Sequence, residues 1–255
     1  MLAYKTWGNP LDPAFIFLHG FIGTKEDWEP LIQRLSPRFF CVAIDLPGHG
    51  ASGWHSDWDG ALSQTLKKLP PLTHPTLVGY SMGGRVALHY PCKIPRILLS
   101  THLGLDTQEE KEARWAQDLL WASRLQNLPL SDFYALWYGQ PLFKSLEARP
   151  DLKAHLLQRP HKEPQLLSKA LLHRSLALQE KVSTPPLRTL FLCGEKDEKF
   201  LKLYETEQKK WGLKAPYFAC YQIIAKAGHA LHLENPEKCA EILCKFKPET
   251  LLDLR

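Results

Sequence analysis

The stretch Gly79-Tyr80-Ser81-Met82-Gly83 constrains this chain more than any other, because it sets a serine between two glycines where an apolar strand meets a helix-forming run. A serine held in so sharp a strand-to-helix turn draws neighbouring backbone so close that only glycine fits at its flanks, and its hydroxyl is presented to solvent. The bare pattern would also fit a glycine-rich turn, and its surroundings distinguish the two. Thr76-Leu77-Val78 supplies the strand, and Gly84-Arg85-Val86-Ala87-Leu88-His89-Tyr90 supplies a helix stopped by Pro91. Ser81 is therefore the first candidate for chemistry.

A serine alone is a poor nucleophile or base at neutral pH. It needs a histidine oriented by an acid, and on a strand–turn–helix scaffold the chain order is Ser, Asp, His. The apolar run Leu187 to Cys193 reads as a buried strand ending at Gly194, and Asp197 lies in the loop just beyond it, with Glu195 and Glu198 as rivals. A second apolar segment, Tyr221 to Ile224, leads into Ala227-Gly228-His229, so His229 follows a glycine turn. Among the other histidines, His232 competes most closely, but it falls inside Leu231-His232-Leu233, where a structural role fits better. His19 and His49 belong to turns and read as loop-shaping residues. The early strand Ala14 to Leu18 runs into His19-Gly20-Phe21-Ile22-Gly23. Such a loop pairs one of its backbone N–H groups with that of the residue after the nucleophile to hold an oxyanion, which points to Phe21 and Met82.

At 255 residues the chain is within the range of a single α/β domain. Apolar strands alternating with helical stretches such as Trp28 to Leu35 and Gly60 to Leu69 predict a mostly parallel sheet flanked by helices on both faces, with the site at the carboxyl ends of its strands. From 106 to 181 the strand signals vanish, and four helical stretches follow: Gln108 to Leu125, Ser131 to Tyr138, Pro150 to Leu157 and Gln165 to Leu178. Prolines at 141, 150, 160 and 164 break this segment. We expect an inserted helical cap at 106–181 in a core made of residues 1–105 and 182–255. The stripe Trp115, Leu119, Leu120 and Trp121, opposite Glu109, Glu110 and Lys111, is expected to pack over that core.

The net charge of +5 is spread over the chain without a basic block, which argues against nucleic acid while leaving room for a local anionic ligand. The amino terminus lacks a secretory pattern and no apolar run reaches membrane-spanning length, so a soluble, cytoplasmic protein is expected. The six cysteines, Cys41, Cys92, Cys193, Cys220, Cys239 and Cys244, form neither a C-x-x-C pair nor a cysteine–histidine cluster at zinc spacing, and read as buried free thiols. With no dinucleotide fingerprint or phosphate loop, no cofactor and no metal are indicated.

Several of these segments together carry a resemblance. They are Leu18 to Gly23, Glu26-Asp27-Trp28, Gly79 to Arg85, Gly194-Glu195-Lys196-Asp197-Glu198-Lys199-Phe200, and Gly228-His229 with Glu234-Asn235-Pro236. The combination resembles the α/β-hydrolase-fold synthases of menaquinone biosynthesis, which make 2-succinyl-6-hydroxy-2,4-cyclohexadiene-1-carboxylate. The run Asp132 to Phe143, with Trp137-Tyr138 and Pro141, resembles that family's cap, so the likeness covers nearly the whole chain. The serine turn marks only the superfamily. The arginine directly after Gly83-Gly84 and the Gly194–Phe200 stretch discriminate further.

The resemblance implies the α/β-hydrolase fold and a lyase reaction: a base removes a ring proton, pyruvate leaves, and no water is consumed. The implied substrate is a small metabolite with several carboxylates. A monomer or weak homo-oligomer is expected. Arg85 matches the family's substrate-binding arginine one helical turn past the serine. Arg114 matches a second in the first cap helix, and Arg159 is the nearest candidate for a third. Read as residues alone, Arg85 fits a structural salt bridge equally well, and Arg114 and Arg159 fit solvated helix faces. Trp137, Tyr80 and Phe143 are candidates to line the pocket, against simple packing. The segment before the Phe15 strand is short, so the first sheet hairpin of larger relatives is expected to be missing. Three function classes follow: a synthase whose Ser81 hydroxyl acts as base, a hydrolase of esters or carbon–carbon bonds whose Ser81 is a nucleophile, and a non-catalytic binding module, which the complete triad disfavours.

Overall fold

Apolar runs too continuous for a half-exposed sheet become the central strands, as burial on both faces requires. In the computed structural model, which describes residues 1–159, 163–186, 188–211 and 219–246, these runs are β2 (Pro13–Leu18), β3 (Phe40–Ile44), β4 (Thr73–Tyr80), β5 (Arg96–Leu99) and β6 (Thr189–Gly194). β1 (Tyr4–Trp7) and β7 (Ala219–Ile224) lie at the edges of one seven-stranded sheet of order β1-β3-β2-β4-β5-β6-β7. Of the residues singled out above, Pro160 and Leu187 lie outside the described ones, as does the Cys220 side chain. All pairings are parallel except β1 with β3, where Tyr4 faces Ile44. The short amino-terminal segment thus forms no hairpin with β2; it contributes a single antiparallel strand that pairs across to β3.

Alternate residues of each strand feed opposite faces. On one face Leu18, Val42, Leu77 and Phe191 pack against α2 (Trp58–Leu66) and α3 (Met82–His89). On the other, Phe17, Val78 and Leu190 pack with Trp28 and α1 (Glu29–Leu35). Between β5 and β6 the chain is helical: α4 (Gln108–Asn127), α5 (Leu130–Tyr138), α6 (Pro150–Leu157) and α7 (Pro164–His173). A capping box starts α4, with Thr107 Oγ1 accepting from the Glu110 amide and the Glu110 carboxylate accepting from the Thr107 amide. The remaining helices are α8 (Glu198–Trp211), α9 (Leu231–Glu234) and α10 (Pro236–Lys245). α8 joins the first face through Phe200 and Tyr204, and α10 the second through Cys239 and Leu243.

Two expectations change in the helical segment. The predicted stretch Gln165 to Leu178 breaks at Arg174-Ser175, where Ser175 caps a separate short turn by accepting from the Ala177 amide. The inner stripe of α4 is Asp118, Trp121, Ala122 and Leu125, while Leu119 and Leu120 are exposed. Adjacent residues on a helix differ by about 100° in direction, so 118, 121, 122 and 125 share a face that 119 and 120 do not. These inner residues join Phe133, Tyr134, Leu156, Leu167 and Leu171 in a third apolar cluster, which reaches the sheet side through Ile22.

His232, in α9, is fully buried between the rings of Trp28 and Tyr80, each with its centroid 4.4 Å away. Neither ring nitrogen has a hydrogen-bond partner among the described residues. Burial, with the nearby Arg159 cation, holds its pKa well below the ordinary histidine value. An unfolded chain would bind a proton here near pH 6.5 and the native chain would not, so stability falls as pH drops below about 6.5, by up to about 1.4 kcal/mol per pH unit. His232→Phe should therefore leave Tm near the parent value at pH 8 and raise it at pH 5; a variant whose Tm tracks the parent across that range would refute this account.

Candidate active site

The serine turn is built by backbone crowding. Ser81 has φ 50°, outside the usual regions for a side-chain-bearing residue, and its amide donates to the Leu99 carbonyl at 2.8 Å. A Cβ on Gly79 would lie 2.5 Å from the Gly83 carbonyl oxygen, and one on Gly83 would collide with the Leu18 and His19 carbonyl oxygens. The two glycines thus let α3 press onto the carboxyl end of β2. The loop after β2 is pinned beside it: the Nε2 of His19 accepts the Leu46 amide at 2.9 Å, and its Nδ1–H donates to the Gly20 carbonyl at 2.7 Å. His19 therefore shapes the loop, as the sequence suggested.

From one side of the sheet, the neighbouring strands β6 and β7 deliver the other two groups. His229 Nε2 stands 3.3 Å from Ser81 Oγ, and its Nδ1 stands 2.8 Å from Asp197 Oδ2. Asp197 and His229 are almost fully buried. Of the rival acids, Glu195 instead accepts the Lys226 amide, and Glu198 lines the cavity in the first turn of α8 without meeting the histidine. Two groups that were not among the expected site residues hold these three in place. Ser100, in the turn after β5, offers its hydroxyl to Asp197 Oδ2 at 3.3 Å and to the His229 carbonyl at 3.1 Å. Glu234 accepts the Gly228 and Ala230 amides at 2.9 and 3.2 Å, bracketing His229. The position of Ser100 directly after an apolar run was the signal available for it; nothing in the sequence marked the contacts of Glu234.

These residues open onto a cavity of about 620 Å³ roofed by the helical segment. Phe21, Ser81, Met82, Arg85, Asp197 and His229 are on its wall, together with Arg114 and Trp137. The ring of Trp137 stands edge-on to that of Phe21, centroids 4.9 Å apart. Tyr80 and Phe143 stand behind the wall, packing their rings against His229 at 5.4 and 5.6 Å. Lys144, Lys196 and Lys199 add to the two arginines, giving five cations against the carboxylates of Asp118, Asp197 and Glu198.

The three arginines separate clearly. Arg85 has no carboxylate within ion-pair distance among the described residues; its Nη1 donates only to the Gln179 side-chain carbonyl at 3.3 Å. Burial, reinforced by the Arg114 cation, pulls its pKa to about 9, which leaves it charged at neutral pH. The salt-bridge alternative thus has no partner here. Arg114, on the cavity wall, offers its Nε to both oxygens of Asp118 at 2.9 Å, and Asp118 is further held by the Ser175 hydroxyl at 2.7 Å. Arg159, the candidate for a third substrate ligand, is off the cavity wall: its Nη2 stands 2.6 Å from Asp27 Oδ1 and its Nη1 donates to the Ile22 carbonyl at 2.8 Å. The solvated-face alternative fails for it too, since both members of that ion pair are under a tenth exposed.

No group of His, Cys, Asp and Glu that could hold a metal occurs among the described residues, and no described helix is long and apolar enough to cross a membrane. The described cysteines, Cys41, Cys92, Cys193, Cys239 and Cys244, are free thiols.

Comparison with known proteins agrees with this architecture. The model of the α/β-hydrolase family matches residues 15–242. A protein of Haemophilus influenzae described as a putative 2-succinyl-6-hydroxy-2,4-cyclohexadiene-1-carboxylate synthase is 37% identical over 237 residues, covering 86% of this chain and 91% of its own. The 2-succinyl-6-hydroxy-2,4-cyclohexadiene-1-carboxylate synthase of Citrobacter koseri is 34% identical over 258 residues, covering 96% and 97%. Among solved structures, MenH from S. aureus superimposes with a TM-score of 0.83 at 28% identity over 97% of this chain and 98% of that one. An esterase from Thermogutta terrifontis, at 21% identity and a TM-score of 0.75, shares the fold. The chain belongs to the α/β-hydrolase family and, within it, to the 2-succinyl-6-hydroxy-2,4-cyclohexadiene-1-carboxylate synthase enzymes.

Proposed function

We propose that this enzyme is a lyase that eliminates pyruvate from a polyanionic cyclohexene substrate to give 2-succinyl-6-hydroxy-2,4-cyclohexadiene-1-carboxylate. The observation that carries the reading is Arg85: a guanidinium one helical turn from Ser81, largely removed from water, on the cavity wall and without a carboxylate of its own. A cation held in that state lacks the partner that would offset its desolvation, and a substrate carboxylate supplies one. An acyl pocket for simple esters has no such need. Arg114 provides the second cation, kept in orientation by Asp118 so that its free nitrogens can meet another carboxylate.

In this reading Ser81 Oγ is the base. His229 takes the hydroxyl proton as Ser81 removes the ring proton, and the Nδ1 contact with Asp197 supports the imidazolium that forms. The electron pair of the broken C–H bond becomes the ring double bond, the carbon–oxygen bond to the departing pyruvate breaks, and the proton gained by the enzyme returns to the leaving group. No water enters. The Phe21 and Met82 amides, both at the cavity beside Ser81, stabilise the negative charge that builds on a substrate oxygen. Trp137 forms part of the roof, while Tyr80 and Phe143 keep the His229 ring in place. Arg159 serves the site indirectly: its bond to the Ile22 carbonyl fixes the loop that presents the Phe21 amide. Residues 106–181 act as the cap, and the remaining chain as the catalytic core.

Pyruvate release from the synthase substrate, compared with hydrolysis of p-nitrophenyl acetate, tests the assignment directly; an enzyme that turns over only the ester is a hydrolase. Ser81→Ala, Asp197→Ala and His229→Ala should each lower kcat on the order of a hundredfold or more, and the Ser81→Ala/His229→Ala pair should be little worse than the poorer single variant. Near-normal turnover by His229→Ala would remove it from the chain of proton transfer. Arg85→Ala should cost about 2 to 4 kcal/mol in kcat/KM for the anionic substrate while sparing the neutral ester. Equal losses on both, with a lowered Tm, would make Arg85 a structural residue. By contrast, Arg159→Leu should lower the unfolding free energy by about 3 to 5 kcal/mol, since it strands Asp27, and should depress both activities in parallel. A selective loss on the anionic substrate would return Arg159 to the binding site.

A further inference from the structure

His102 stands outside the Ser81, His229 and Asp197 chain, yet it lies on the same cavity wall, two residues past Ser100 in the loop after β5. Its Nδ1 accepts the Gly104 amide at 3.1 Å. A neutral imidazole whose Nδ1 accepts carries its proton on Nε2. Burial, together with the cations of Lys199, Arg85, Lys181 and Arg114, pushes His102 down to about 3, so the ring is neutral at working pH. No acceptor among the described residues takes the Nε2–H. The Phe200 ring, edge-on at 6.2 Å, flanks the imidazole.

His102 is tied to Arg85 by a single side chain. Gln179 donates its amide to the His102 carbonyl at 3.3 Å and accepts from Arg85 Nη1, also at 3.3 Å. A guanidinium without a carboxylate and a neutral N–H without an acceptor among the described residues are thereby held in one frame on one wall. A carboxylate has about four acceptor positions, more than a single guanidinium fork fills. A neutral N–H adds a hydrogen bond there without adding repulsion to a wall that already carries Arg85, Arg114 and Lys199.

We propose that the His102 Nε2–H and the Arg85 guanidinium together form one subsite for a substrate carboxylate, with His102 as a binding residue of fixed tautomer. The proposal rests on the polyanionic substrate of the reading above, so one arm of its test is independent of turnover. His102→Asn keeps an acceptor for the Gly104 amide but withdraws the cavity-facing donor, whereas His102→Gln reaches far enough to restore it. With the synthase substrate, His102→Asn should raise KM about tenfold with kcat changed less than about threefold, and His102→Gln should recover most of the loss. Calorimetric titration with succinate, as a plain dicarboxylate probe, should show binding to the parent protein weakened about tenfold by His102→Asn and largely regained by His102→Gln. Unchanged KM and unchanged succinate affinity in His102→Asn would overturn the proposal, as would a fall in kcat and Tm that His102→Gln does not repair. Should the parent protein release no pyruvate, the synthase reading fails and the succinate titration alone decides the subsite; no binding of succinate to the parent protein would then count against it.

Discussion

The contact on which the site depends is the one between the start of α3 and the carboxyl end of β2. Gly83 lies so close to the Leu18 and His19 carbonyls that any side chain would force the helix away from the sheet. That approach sets Ser81 at its left-handed φ, aims its hydroxyl above the strands, and places the Met82 amide at the first position of a helix, where no intrahelical acceptor exists. The amino end of α3 thus brings its partial positive charge up beside the Ser81 hydroxyl. The strain at Ser81 persists because the packing around it, from Leu99 on one side and the β2 loop on the other, leaves no room for relaxation.

Electrostatics gives the cavity its character. Many cations elsewhere in the molecule stand beside acids: Lys25 with Asp45, Lys181 with Glu207, Arg159 with Asp27. Arg85 departs from this on the cavity wall, where burial pulls its pKa down to about 9. Asp118 has the converse role. A carboxylate facing a cationic cavity would repel an anionic substrate, but the Arg114 N–H shared by both its oxygens and the hydroxyl of Ser175 offset its charge. The net result is a wall with five cations against three carboxylates, two of which, Asp118 and Asp197, are already engaged by neighbouring side chains.

The helical segment between β5 and β6 is more than a cover. Its own apolar cluster includes Ile22 from the loop that carries Phe21. Arg159 and Arg149 add polar fastenings, to the Ile22 and Glu234 carbonyls respectively. One fastening sits on the loop bearing a proposed oxyanion donor, the other on the residue whose carboxylate brackets His229. Movement of the segment would therefore be felt at both.

Much of this was legible in the chain. The serine turn, the strands ending near Asp197 and His229, and the loop at Phe21 each follow from local pattern, because steric demand and the order of strands leave few alternatives; Glu195 and His232 fell away as rivals for reasons of position. The family likeness rested on the same motifs. What sequence could not supply is what each long polar side chain touches. Arg85, Arg114 and Arg159 look alike in the chain, yet one is left without an acid, one is half used by Asp118, and one is bound to Asp27. The inner face of α4 and the break at Arg174 were likewise fixed by what the helices meet across space. Local sequence determines backbone shape through sterics and periodicity, whereas the partner of a flexible charged side chain is chosen by residues distant along the chain, such as Gln179 for Arg85 and Asp27 for Arg159, which only the folded arrangement brings within reach.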